Sequence, residues 1–189
     1  MTNGETQTLA DQSYTTTTSE VDNSDTNGDG NISNIELVQA GQAFATGQIS
    51  ITELGSVSTV FAESGTGAVE NSSVTLSDAD PAPGSNVTVT VTATPTTADA
   101  GFSFSQTFNQ SVESISGIST SLTDTIIAAT NPNGVTVTAG SGSFTPGETV
   151  TIEYTITPAD TTGKTVDITG SVTNGQTTDL SPHSYTITN

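Results

Sequence analysis

Between Asp25 and Glu36 the chain reads Asp-Thr-Asn-Gly-Asp-Gly-Asn-Ile-Ser-Asn-Ile-Glu. This run satisfies the twelve-residue calcium-loop pattern, with Asp, Asn, Asp, Gly and Glu at its prescribed positions. Ca²⁺ takes hard oxygen ligands in a tolerant geometry, whereas Mg²⁺ keeps its waters and is disfavoured by so many ligands. Asp25, Asn27 and Asp29 offer side-chain oxygens at alternate positions. Asn31 offers its backbone carbonyl, Ser33 contributes directly or through water, and Glu36 closes the far side with both carboxylate oxygens. Gly30 permits the sharp turn because it lacks a Cβ, and Ile32 is expected to tie the loop to a core. Asp25, Asp29 and Glu36 around a divalent ion leave the loop at −1, which suits the modest affinity of extracellular modules. The alternative for these residues is an Asn/Gly/Asp-rich turn that only caps a helix, with Ser33 or Asn34 as N-cap.

Such a loop needs an element to hold it. Leu37, Val38, Ala40, Ala43 and Phe44 recur at helical spacing after Glu36, and a second helical segment runs from Ile51 to Phe61. The two segments repeat each other: Ile32, Ser33, Glu36, Leu37 and Phe44 match Ile49, Ser50, Glu53, Leu54 and Phe61. A duplicated unit of this kind covers its own apolar faces. Ala43-Phe-Ala-Thr-Gly47 supplies no carboxylate ahead of the second copy, so one metal site is expected. Residues 23–64 form a unit at the size where a metal or a disulfide is usually needed, and the chain has no Cys. An ion at 100 times its dissociation constant adds about 2.7 kcal/mol.

The remaining segments divide by composition. Residues 1–22 are polar around Thr15-Thr16-Thr17-Thr18 and read as a flexible arm or a lone strand, a helix being disfavoured by the β-branched run. Residues 65–70 read as a linker, and 71–189 as a sandwich. In the last region Val87, Val89, Val91 and Ala93 alternate with threonines, as do Val150, Ile152, Tyr154 and Ile156 with Thr151, Glu153, Thr155 and Thr157. Pro83-Gly84 and Pro146-Gly147 open these two runs, and Pro95 and Pro158 close them, so the runs are repeats. Further strands are expected over 71–77, 101–108, 112–119, 134–139, 165–173 and 183–188. The fold class is therefore mainly β with a small α part: an antiparallel β-sandwich preceded by a paired loop–helix calcium module.

Composition excludes much else. With 20 acidic residues, one basic residue (Lys164) and a net charge of −19, the chain has no phosphate-binding surface, so nucleic acid is not an expected partner. Self-repulsion on this scale is relieved by high salt or bound multivalent cations, which points to a halophilic origin. No run approaches the ~20 apolar residues of a membrane span, and the start lacks a signal-peptide pattern. A mature secreted chain fits the Thr/Ser-rich β composition. The sequons at Asn31, Asn71, Asn86 and Asn109 occur about as often as chance allows in this composition. His183, the one histidine, reads as an exposed or edge residue, and Lys164 as a turn charge. No nucleophile motif accompanies them. The Thr88/Thr90/Thr92/Thr94 ladder reads as the solvated side of a strand.

A calcium loop followed by one helix, then duplicated, resembles the dockerin module through Asp25, Asn27, Asp29, Gly30, Ile32, Glu36 and Leu37 and the echo Ile49…Leu54. The β region is similar to the cohesin or Ig-like sandwiches of prokaryotic surface proteins, and the whole to surface or secreted proteins of halophilic archaea. These resemblances imply a non-enzymatic, calcium-binding, extracellular or cell-surface assembly protein. Its partner would be a protein, either another copy or a cohesin-like sandwich. The alternative is a non-catalytic cohesin-partner or carbohydrate-binding module of a polysaccharide-degrading system, against which the scarcity of aromatic residues weighs.

Overall fold

Alternating apolar and hydroxyl residues build two sheets, and the helical repeats lie on one of them. The computed structural model describes residues 20–109, 112–159 and 161–188. Helices α1 (Glu20–Ser24), α2 (Asn34–Ala45) and α3 (Ile51–Ala62) come first. They are followed by β1 (Val69–Leu76), β2 (Val87–Pro95), β3 (Phe102–Phe108), β4 (Val112–Thr120) and β5 (Thr125–Asn131). Next come β6 (Gly134–Ala139), β7 (Val150–Pro158), β8 (Thr165–Asn174), β9 (Gln176–Asp179) and β10 (His183–Thr186). One sheet runs β1-β2-β7-β4 and the other β10-β8-β3-β6-β5, with β9 also paired on β8. Every pairing is antiparallel. The chain is an antiparallel β-sandwich carrying a small helical unit.

The two repeated strands are direct neighbours. Val87 lies opposite Ile156 and Ala93 opposite Val150, so the corresponding residues Thr90 and Glu153 face each other at the centre of a local two-fold. Their apolar positions, Val89, Val91, Ile152 and Tyr154, enter the core between the sheets. Phe102, Phe104, Val135, Val137, Val166, Ile168 and Val172 meet them from the second sheet. In β6 both faces are buried: Val135, Val137 and Ala139 face the sandwich core, while Thr136 and Thr138 are also covered.

Several boundaries differ from the sequence reading. Glu20–Ser24 is helical, so residues 20–22 are neither arm nor strand; the expectation for 1–19 lies outside the described residues. The first strand begins at Val69, inside the run read as a linker. That run is closely packed: a Cβ on Gly65 would lie 2.7 Å from the Ala100 Cα. Strands β5 and β9 fall outside the strands the sequence predicts. The first carries Ile126-Ile127-Ala128-Ala129, which has no period of two, and the second is four polar residues long.

Candidate metal centre

The Asp25–Glu36 loop is organised by its own side-chain oxygens. Asp25 Oδ1 accepts from the backbone N–H of Gly28 (2.8 Å) and Asp29 (3.2 Å), and Asp25 Oδ2 from that of Gly30 (2.8 Å). Asn27 Oδ1 accepts from Asp29 N–H at 2.9 Å, and Asp29 Oδ1 from Asn31 N–H at 2.8 Å. Gly28 and Gly30 take positive φ (71° and 81°), a region in which L side chains are strained, so the Gly30 that the loop pattern calls for is used as a glycine, and Gly28 at an unconstrained position is too. Asp25, Asn27 and Asp29 are thus brought together around one turn.

Glu36 is placed differently from a ligand aimed at the turn. Its Oε2 accepts from Ser33 N–H (2.9 Å) and Ser33 Oγ (2.7 Å), while Ser33 Oγ accepts from Glu36 N–H, a capping box at the start of α2. Its Oε1 accepts from Thr26 N–H and Oγ1 (both 2.8 Å) and from Asn27 N–H (3.2 Å). These donors, led by the Ser33 backbone and hydroxyl and then the Thr26 hydroxyl, hold the Glu36 carboxyl at a pKa of about 2 against the opposing effect of burial. Ser50 and Glu53 repeat the capping box on α3, and Glu53 is likewise lowered by the Ser50 backbone and hydroxyl.

The donor set of Asp25, Asn27, Asp29, Asn31, Ser33 and Glu36 is all hard oxygen, which fits Ca²⁺ in chemistry. Among the described residues, no three Asp, Glu or His side chains converge on one point. The Glu36 oxygens are engaged by Thr26, Asn27 and Ser33, so the helix-cap role left open for this segment is filled, with Ser33 as the N-cap.

The loop is coupled to the sandwich through its one buried apolar residue. Ile32, 3% exposed, packs in a second core with Leu37 and Ala40 of α2, Ile51, Leu54, Val57 and Phe61 of α3, and Ile127 of β5. The outer face of the sheet beneath is built of small and hydroxyl residues, which lets α3 approach closely. A Cβ on Gly55 would meet Ser105 Oγ at 2.6 Å, and one on Gly101 would meet the Phe61 ring at 2.6 Å. Ser58 of α3, Ser103 of β3 and Thr138 of β6 are buried with hydroxyls that have no hydrogen-bond partner among the described residues.

This geometry can be set beside known proteins. No protein-family profile matches the sequence, and no curated protein is detectably similar to it. Among solved structures, a variant of BcpA, the major pilin subunit of Bacillus cereus, aligns over 66% of this chain with a TM-score of 0.51 and 11% identity. The N-terminal domain of the Streptococcus gordonii adhesin Sgo0707 aligns over 62% (TM-score 0.49, 14% identity), and a cohesin of ScaC from Acetivibrio cellulolyticus over 63% (TM-score 0.45, 14% identity). The likeness is one of fold. The aligned part spans 41% of the pilin subunit, 32% of the adhesin domain and all of the cohesin.

The other candidate residues stay apart from the loop. His183 begins the edge strand β10 and its Nδ1 lies 2.7 Å from the Ser181 carbonyl; Lys164 is exposed in its turn. Tyr154 and Tyr185, the aromatic residues that a sugar site would draw on, are both buried. No helix among the described residues is long and apolar enough to cross a membrane. Sequence reasoning missed Thr26, the second partner of the Glu36 carboxylate, because the loop pattern leaves that position unconstrained. It also missed Ile127, whose strand carries no alternation to announce it.

Proposed function

We propose that this chain is a non-enzymatic extracellular or cell-surface assembly protein, in which calcium orders a dockerin-like helical unit and keeps it docked on its own sandwich. Asp25, Asn27, Asp29, Asn31, Ser33 and Glu36 would hold the ion, and the halophilic setting suggested by the charge balance would screen the remaining carboxylates. One observation carries the reading: the buried Ile32 of the loop shares a core with Ile127 of the sheet. Order in the loop is therefore energetically linked to the helices and to the sandwich, and a ligand that binds only the folded loop stabilises all three. The pilin-like fold supports a structural role.

Light scattering with calcium and then with chelator tests the assembly role. Calcium-dependent self-association is the expected result. A monomer of unchanged mass in both conditions would remove self-assembly from the reading.

A further inference from the structure

Of the seven prolines in the chain, one follows an aspartate: Asp80–Pro81, in the loop that joins β1 to β2. An aspartate in this position has a chemistry of its own. Its side-chain carboxyl can reach the main-chain carbonyl carbon of the same residue and close a five-membered ring. The nitrogen on the far side of that carbon belongs to a tertiary amide. More basic than an ordinary peptide nitrogen, it accepts a proton readily as it leaves.

The fold adds to this. Thr188 lies just beyond β10 of the other sheet and donates twice to the loop. Its Oγ1 bonds the Asp80 carbonyl oxygen (2.8 Å) and its N–H the Pro81 carbonyl oxygen (2.9 Å). The first of these is the carbonyl of the Asp80–Pro81 bond itself, and a donor at that distance stabilises charge developing on the oxygen. The second fixes the far side of the bond, where Pro81 is buried. Asp80 is exposed. Its backbone N–H is held by Asp78 Oδ1 at 2.9 Å, while its carboxyl accepts no hydrogen bond among the described residues. The reacting side chain is free and the bond beside it is clamped.

We propose that Asp80–Pro81 is a self-cleavage site. With Asp80 as the neutral acid, one of its side-chain oxygens bonds to the main-chain carbonyl carbon, and Thr188 Oγ1 holds the oxygen on which charge builds. The bond from that carbon to the Pro81 nitrogen breaks, and the carboxyl proton passes to the nitrogen. Water then opens the cyclic anhydride left on Asp80. One peptide bond and one water are consumed, and the two products end at Asp80 and begin at Pro81. The nicked chain keeps its form. Strand β1 stays paired with β2 from Val69–Pro95 to Leu76–Val89, and the helices of the first fragment still share a core with Ile127 of the second.

The test is mass spectrometry of the full chain after incubation at pH ~4, where carboxyl groups are partly protonated, with circular dichroism confirming the fold. Denaturing separation should yield two fragments whose masses exceed that of the 19.0 kDa chain by one water. Asp80→Ala, altered at an exposed position, should stay whole. Thr188→Val should slow cleavage of the folded chain at least ~10-fold, as loss of a carbonyl donor does, and leave the rate in concentrated urea unchanged. A folded wild type that stays whole, or that is cut only in urea, would overturn the proposal. Equal rates for folded wild type and Thr188→Val would overturn it too, since cleavage would then owe nothing to the fold.

Discussion

The Tyr154 hydroxyl donates to Oε1 of Gln106, joining β7 of one sheet to β3 of the other through the middle of the sandwich. Both residues are almost wholly buried, at about 1% exposure. Tyr154 also packs against Phe104 and Phe108, with ring centroids 6.4 and 6.0 Å apart. Removing the hydroxyl in Tyr154→Phe strands a buried amide oxygen, which costs about 1–3 kcal/mol. Adding Gln106→Leu removes the stranded group and should recover part of that loss. Denaturant unfolding of the two variants measures both numbers.

The same tyrosines set an alkaline limit. Burial pushes the Tyr185 phenol up to about 12, and burial raises Tyr154 as well, with a further contribution from Tyr185. An unfolded tyrosine ionises near 10. Stability from these groups is therefore complete below pH ~10 and falls as pH rises from ~10 toward ~12, because the unfolded chain gives up its phenolic protons first. Tyrosinate absorbance in an alkaline titration should appear together with loss of β-sheet circular dichroism. Full tyrosinate signal near pH 10 with the fold intact would contradict the buried placement.

At acid pH the sign reverses. The Glu36 carboxyl is held near 2, below its ordinary 4.5, so its contribution is complete above pH ~4.5 and is lost as pH falls toward 2. In metal-free buffer, Glu36→Gln should flatten the acid limb of the stability curve over that window. Ser33→Ala and Ser50→Ala should each cost about 1 kcal/mol as lost N-caps, read from thermal or denaturant midpoints.

Close approach of α3 to the sheet gives a direct probe of docking. On Gly101 an added Cβ would lie 2.6 Å from the Phe61 ring and 3.1 Å from the Ala139 carbonyl. Gly101→Ala should therefore destabilise the chain by about 1–3 kcal/mol. Hydrogen exchange should show the loss in α2 and α3 before the core strands. Uniform loss throughout would mean that the helical unit and the sandwich open as one.

What the sequence made legible follows from periodicity. The repeat of Ser33 and Glu36 at Ser50 and Glu53, the helices behind them, and the repeated strands β2 and β7 each carry a local signal strong enough to survive folding. The sandwich followed from strands with one apolar face each. The short helix at Glu20–Ser24 and strand β5 did not show, because tertiary contact decides them: Val21 and Ile127 both pack into the helical core, and neither has a periodic neighbourhood. In the loop, spacing picked out the side-chain oxygens that organise the turn but could not assign the N–H and O–H groups they accept from. The glycine turn is legible in a pattern of residue types, whereas the capture of Glu36 by Thr26 joins residues ten apart at a position the pattern leaves open.

On the proposed function, the Asp25–Glu36 loop takes up calcium and its occupancy holds the helical unit in place. Isothermal titration calorimetry of metal-free chain with Ca²⁺, on wild type and Asp25→Ala, reads this uptake. Wild type should bind one ion per chain and gain thermal stability with added calcium, and Asp25→Ala should do neither. Equal heats for the two proteins, or none for wild type, would mean that the loop does not hold calcium.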